Sequence, residues 1–146
     1  MMPVIWFDCD AGRTVRLCSA PTPPLARREC VKALRRDLAL CATGLSNSVS
    51  GEYGTAGGGQ GNTASASHAA VGGGLTNTAS GAAAVVGGGL SNTASQAYSA
   101  VAGGQLNAVS STHGVATGGL SNTCSGEYAV VAGGRQVRRP TPPPGG

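Results

Sequence analysis

The chain has 146 residues, 25 of them glycine, with aromatics at 3%, charged residues at 11% and a net charge of +4. That length admits one domain, and so few rings and charges exclude an ordinary globular core inside a charged shell. Residues 1–46 carry seven Lys/Arg against four Asp/Glu, residues 47–134 carry only Glu52 and Glu127, and the end carries Arg135, Arg138 and Arg139, so a basic stripe along the body is excluded.

Residues 1–43 read as a short α/β cap. Val4-Ile5-Trp6-Phe7 and Val15-Arg16-Leu17 flank Ala11-Gly12-Arg13, which predicts two short strands. One helix is predicted over 24–41. Pro23 and Pro24 precede and open it, and Leu25, Val31, Leu34, Leu38 and Cys41 recur near helical spacing. Arg27, Arg28, Lys32, Arg35 and Arg36 take the rest of its surface. Three roles stay open for it: a cover over an open strand edge, a short trimeric coiled coil, or a basic contact with nucleic acid or an anionic membrane.

Five cysteines, Cys9, Cys18, Cys30, Cys41 and Cys124, show no metal-ligand spacing, and an odd count leaves one thiol unpaired within a chain. Free thiols, an N-terminal disulfide cluster and pairing between chains all remain open. The apolar run from Pro3 to Phe7 is cut off by Asp8 and Asp10, too short for a signal peptide. No stretch approaches the ~20 apolar residues of a membrane helix.

From 44 to 136 the chain repeats. Asparagine returns every fifteen residues, at Asn47, Asn62, Asn77, Asn92, Asn107 and Asn122. Counting from it, the fourth position is always serine. The twelfth and thirteenth are always glycine, with Gly58, Gly73, Gly88, Gly103, Gly118 and Gly133 as the first of each pair. A fixed period of this size predicts a solenoid of six coils. The paired glycines supply positive φ for a turn. Asparagine forms a structural turn and, stacked coil on coil, a side-chain amide ladder. Serine closes a turn onto the main chain.

Between serine and glycine lies a predicted strand, Tyr128-Ala129-Val130-Val131 in its fullest form. Its seventh column is Tyr53, His68, Ala83, Tyr98, His113 and Tyr128, and its ninth includes Val85, Val115 and Val130. Alternation places columns seven and nine on one face and eight and ten on the other. Both are apolar, so the outer face needs a cover. The chain holds no spare apolar segment to supply one. A homotrimer in which Tyr53, His68, Tyr98, His113, Tyr128, Val85, Val115 and Val130 pack between copies is the expected answer.

The units 87–95, Gly-Gly-Gly-Leu-Ser-Asn-Thr-Ala-Ser, and 125–134, Ser-Gly-Glu-Tyr-Ala-Val-Val-Ala-Gly-Gly, resemble the head repeats of YadA-like trimeric autotransporter adhesins. Related repeats occur in viral and phage surface proteins. The resemblance covers 44–136 and implies an all-β, left-handed parallel β-roll, homotrimeric, with structural or adhesive duties. Neither a signal peptide, a long stalk nor an anchor barrel is legible here, which favours a virion or surface-particle component. Residues 137–146, rich in Pro and Gly, are expected to be a disordered tail.

No enzyme chemistry is expected. His68 and His113 lie three coils apart, about 14 Å at ~4.8 Å per strand, too far to share a metal. The repeats lack the aspartates of calcium-binding rolls, and no Lys-Ser/Thr follows the glycines to make a phosphate loop. Cofactor, metal and small-molecule substrate are all expected to be absent. The expected partners are sister copies, with a surface receptor or particle component beyond them. Two other readings stay open: nucleic-acid or membrane binding through the basic ends, and an ice-binding face. The latter would use Thr-x-Ser at 63/65, 78/80, 93/95 and 123/125.

Overall fold

The computed structural model describes residues 44–140 with their side chains, and the backbone of 6–9, 15–18 and 40–41. β1 (Trp6–Cys9) and β2 (Val15–Cys18) pair antiparallel, Trp6 opposite Cys18 and Cys9 opposite Val15. Two strands were expected on either side of Gly12; the first runs on to Cys9, two residues past the expected Phe7, and the second to Cys18, one past Leu17.

Everything else described is one parallel β-solenoid with coils of fifteen residues. Its first sheet stacks β3 (Leu40–Cys41), β5 (Thr55–Ala56), β7 (Ala70–Val71), β9 (Val85–Val86), β11 (Ala100–Val101), β13 (Val115–Ala116) and β15 (Val130–Val131). Its second stacks β4 (Ser48–Val49), β6 (Thr63–Ala64), β8 (Thr78–Ala79), β10 (Thr93–Ala94), β12 (Ala108–Val109), β14 (Thr123–Cys124) and β16 (Arg138–Arg139). The register is one coil throughout: Thr93 pairs Thr78 and Ala108. A third line of single bridges joins Leu75 to Gln60 and Leu90 on the remaining side.

The ladder is longer at both ends than the repeat of side chains. Leu40 and Cys41, expected as the end of the helix, pair with Thr55 and Ala56 as a strand. Residues 24–39 of that helix lie outside the described residues. Arg138 and Arg139, expected in the tail, pair with Thr123 and Cys124. Strand stacking is a backbone matter, so it continues after the asparagine gives way to Val137, whose N–H still donates to Asn122 Oδ1 at 2.8 Å. No helix occurs among the described residues.

The interior is thin. Column three (Val49, Ala64, Ala79, Ala94, Val109, Cys124) faces column ten (Ala56, Val71, Val86, Val101, Ala116, Val131), and each side chain is at most 2% exposed. Among the described residues nothing larger than valine is apolar and fully buried. At ~0.8 kcal/mol per buried CH₂, such a core contributes little per coil, and hydrogen bonds carry much of the specification. Coil-to-coil bonds run forward, as in Thr78 N–H to Asn92 O at 2.8 Å and Val85 N–H to Ser99 O at 2.9 Å.

One expectation about the strands is corrected. The four-residue strand through columns seven to ten is only two residues long. Column seven adopts left-handed backbone, with φ between 54° and 59° at Tyr53, His68, Ala83, Tyr98, His113 and Tyr128. Column fifteen does the same at Thr76, Ser91, Leu106, Ser121 and Gln136. Side chains other than glycine resist this region by about 1–2 kcal/mol per residue. From His68 onward the conformation turns these N–H groups backward, so Ala83 N–H reaches Ser67 O at 2.9 Å and Thr76 N–H reaches Gln60 O at 2.8 Å. Forward and backward bonds clamp each coil from both sides.

Candidate functional site

Three ladders run along the rod. The innermost is asparagine. Asn62, Asn77, Asn92, Asn107 and Asn122 are fully buried, and Asn47 is 3% exposed. Each Oδ1 accepts the backbone N–H of the residue one coil on, as in Asn92 N–H to Asn77 Oδ1 at 2.9 Å. Each Nδ2 from Asn62 to Asn122 donates to two glycine carbonyls, so Asn92 reaches Gly88 O and Gly104 O, both at 2.8 Å. The carboxamide saturates the turn between the two sheets, and no buried side-chain N or O among the described residues lacks a partner. The asparagines stack coil on coil as the spacing predicts, but their bonds run to backbone; only Asn62 Nδ2 to Asn47 Oδ1, at 3.1 Å, joins two side chains, so the expected side-chain amide ladder is replaced by a side-chain-to-backbone one. The asparagines themselves are not left-handed; that conformation falls on the residue before each of them.

The glycines make the ladder possible. Gly89 has φ +93, and a Cβ there would strike Gly104 O and crowd Asn92 Nδ2 at 2.7 Å. The twelfth column is looser: at Gly103, Gly118 and Gly133 an added Cβ meets nothing within 4 Å. Serine in the fourth column behaves differently from expectation. Ser95 and Ser125 donate to carbonyls of the next coil, Val109 O and Arg139 O, both at 3.2 Å, and do not close their own turn.

The second ladder is aromatic and faces outward. Tyr53 stacks on His68 with centroids 5.0 Å apart, Tyr98 on His113 at 5.0 Å, and His113 on Tyr128 at 4.9 Å. Tyr98 is 60% exposed and Tyr128 67%. Beside it lies column nine, where Val85 and Val130 are 44% and 53% exposed and Val115 is partly covered. The eight residues expected to pack between copies therefore share one outward band on this chain. No charged residue occurs from Tyr53 to Gly126, so the band carries no charge between Glu52 and Glu127.

The third ladder is hydroxyl. Thr63, Thr78, Thr93 and Thr123 are partly exposed in column two, with Ala108 interrupting them. Arg135, Arg138 and Arg139 are exposed at the C-terminal end, while Arg27, Arg28, Arg35 and Arg36 lie outside the described residues. Among the described residues no group of three or more His, Cys, Asp or Glu is placed to hold a metal, and no helix is long and apolar enough to cross a membrane. Cys124 is a buried free thiol that donates to Ala129 O at 3.0 Å. Its role is to fill the position that alanine or valine fills in other coils.

Comparison with protein-family models finds no match, and comparison with curated proteins finds none either.

Proposed function

We propose that this chain is a non-enzymatic structural or adhesive element that works as a homotrimer, with the aromatic and valine columns turned toward sister copies. The observation that carries the reading is the uncharged outward band of Tyr98, Tyr128, Val85 and Val130, each at least 44% exposed on a single chain. Apolar surface repeated at one position in successive coils is what a rod presents to an identical rod, because symmetric copies meet level by level. A core of alanine and valine gains from that added burial.

The resemblance of the repeats to YadA-like heads and to viral and phage surface proteins supports placing such a trimer on a cell or particle surface. The chemistry it offers there is a stiff, uncharged rod, suited to spacing or adhesion.

Sedimentation equilibrium on the full chain tests the reading. The expected mass is three times 14.2 kDa. Val85→Lys with Val115→Lys should lower it, because a lysine ammonium cannot be desolvated in a dry interface without a partner. A folded species of 14.2 kDa at tens of micromolar would refute the assembly.

A further inference from the structure

The aromatic ladder has one missing ring, and its surroundings describe what fits there. Column seven holds a ring at Tyr53, His68, Tyr98, His113 and Tyr128, and alanine at Ala83. The backbone makes no distinction. Ala83 has φ 54° against 56–59° for the others, and its N–H donates backward to Ser67 O just as His68 donates to Glu52 O and Tyr98 to Ala82 O. Its Cβ therefore starts where a ring would start. His68 and Tyr98 flank it two coils apart, about 10 Å at ~4.8 Å per coil. That is twice the 4.9–5.0 Å centroid spacing of the rings that do stack.

Two further observations mark the gap. Val85 lies two residues from Ala83 on the same coil and is 44% exposed. The gap thus has an apolar side wall. On one wall His68 lies 28° from the plane of Tyr53, and on the other Tyr98 lies 6° from the plane of His113. Ser67 Oγ holds His68 Nδ1 at 2.8 Å, which anchors the wall.

We propose that the gap at Ala83 is a binding slot for one flat, uncharged aromatic ring, which enters between His68 and Tyr98 and completes the ladder. The occupant is uncharged because no Asp, Glu, Lys or Arg lies between Glu52 and Glu127. An ionised group there would lose water without gaining a partner. Flatness follows from the gap, which has the thickness of a single rung, and stacking is sequence-tolerant toward any π face. A sister copy does not fill the slot from the same level, since rotational symmetry brings another Ala83 to that height. The slot is a feature of the single chain, whose column-seven rings the proposed trimer turns toward sister copies.

Indole is the probe, titrated into the full chain while NMR follows the ring protons of the tyrosines and histidines and the Ala83 methyl. Saturable upfield shifts are expected at His68, Ala83 and Tyr98. Ala83→Tyr, which places a residue already accepted at Tyr53, Tyr98 and Tyr128, should abolish them. His68→Ala leaves one stacking face and should weaken binding by roughly three- to tenfold. No movement at His68 and Tyr98 up to the solubility limit of indole overturns the proposal. So do equal shifts at Tyr53 or Tyr128, which mean unselective stacking, and shifts that survive unchanged in Ala83→Tyr. Sedimentation on the same samples reports the oligomer separately, so failure of the slot is distinguishable from failure of the trimer.

Discussion

Removing one buried asparagine from the middle of the rod probes what holds the coils together. In Asn92→Ala the side chain's three hydrogen bonds vanish: from Asn107 N–H at 2.9 Å, and to Gly88 O and Gly104 O at 2.8 Å each. Gly104 O keeps a second donor, Leu90 N–H at 3.0 Å. Asn107 N–H, in a site with no exposure, and Gly88 O, in a partly buried one, are left facing an apolar methyl. Losing the bond to Gly104 O, which keeps a donor, costs about 1 kcal/mol net, and each of the two orphaned groups costs ~1–3, so the whole change costs about 3–7 kcal/mol. That is a large part of the ~5–15 kcal/mol that holds a domain together. Urea unfolding followed by far-UV circular dichroism measures it, and hydrogen exchange at the Asn107 amide localises it. Asn92→Asp sharpens the test. Its carboxylate would face two carbonyl oxygens in place of donating to them, so its pKa in the fold rises above the ordinary ~3.9. The folded state then binds more protons than the unfolded one, and stability falls as pH rises through ~4. Asn92→Asp should therefore be more stable at pH 3 than at pH 7. A loss under ~1 kcal/mol in Asn92→Ala, with the Asn107 amide still protected, would show that the ladder is incidental.

Other substitutions separate the remaining contributions. Gly89→Ala should prevent folding or cost more than about 3 kcal/mol, because its Cβ collides with Gly104 O at φ +93, while Gly103→Ala should change urea stability by less than about 1 kcal/mol, since nothing lies within 4 Å. Val86→Ala, fully buried, should cost ~2 kcal/mol through lost methyl burial and an unfilled cavity, read from the shift in urea midpoint. Leu106→Gly should raise stability by about 0.5–1 kcal/mol, because Leu106 sits at φ 57° and is 50% exposed, and Gly61 already fills this column in another coil. Cys124, with no exposure, should react with a thiol reagent only on unfolding, so peptide mapping of timed labelling should place its modification after loss of the solenoid.

What could be read from the residues depended on whether the geometry had a side-chain signature. The asparagine period and the glycine pairs have one, because a buried carboxamide ladder and a positive φ pressed against the next coil each admit almost no substitute. The solenoid, its parallel strands and the stacking of the asparagines were therefore legible, whereas the backbone partners of the carboxamides were not. Columns seven and fifteen have none. Tyr98, His113 and Leu106 take left-handed backbone that their own preferences oppose, and apolar alternation made column seven resemble strand. The coil imposes that conformation through its backward hydrogen bonds. The ends were misjudged for a related reason: Leu40, Cys41, Arg138 and Arg139 join the ladder through backbone alone, after the repeating side chains have stopped. The significance of Ala83 could not emerge from its own codon. It takes the stacked rings on either side to turn a small residue into a missing one.

Each rung of this rod is fastened only to the rungs directly above and below it. Duplicating or losing a whole fifteen-residue unit leaves every lateral partner in place, as the unbroken register from β4 to β16 requires. A single inserted residue would throw the asparagine, glycine and valine columns out of line together. Length is thus free to drift by unequal recombination while the cross-section stays fixed, which makes reach a quantity that inheritance can adjust without reinventing the protein.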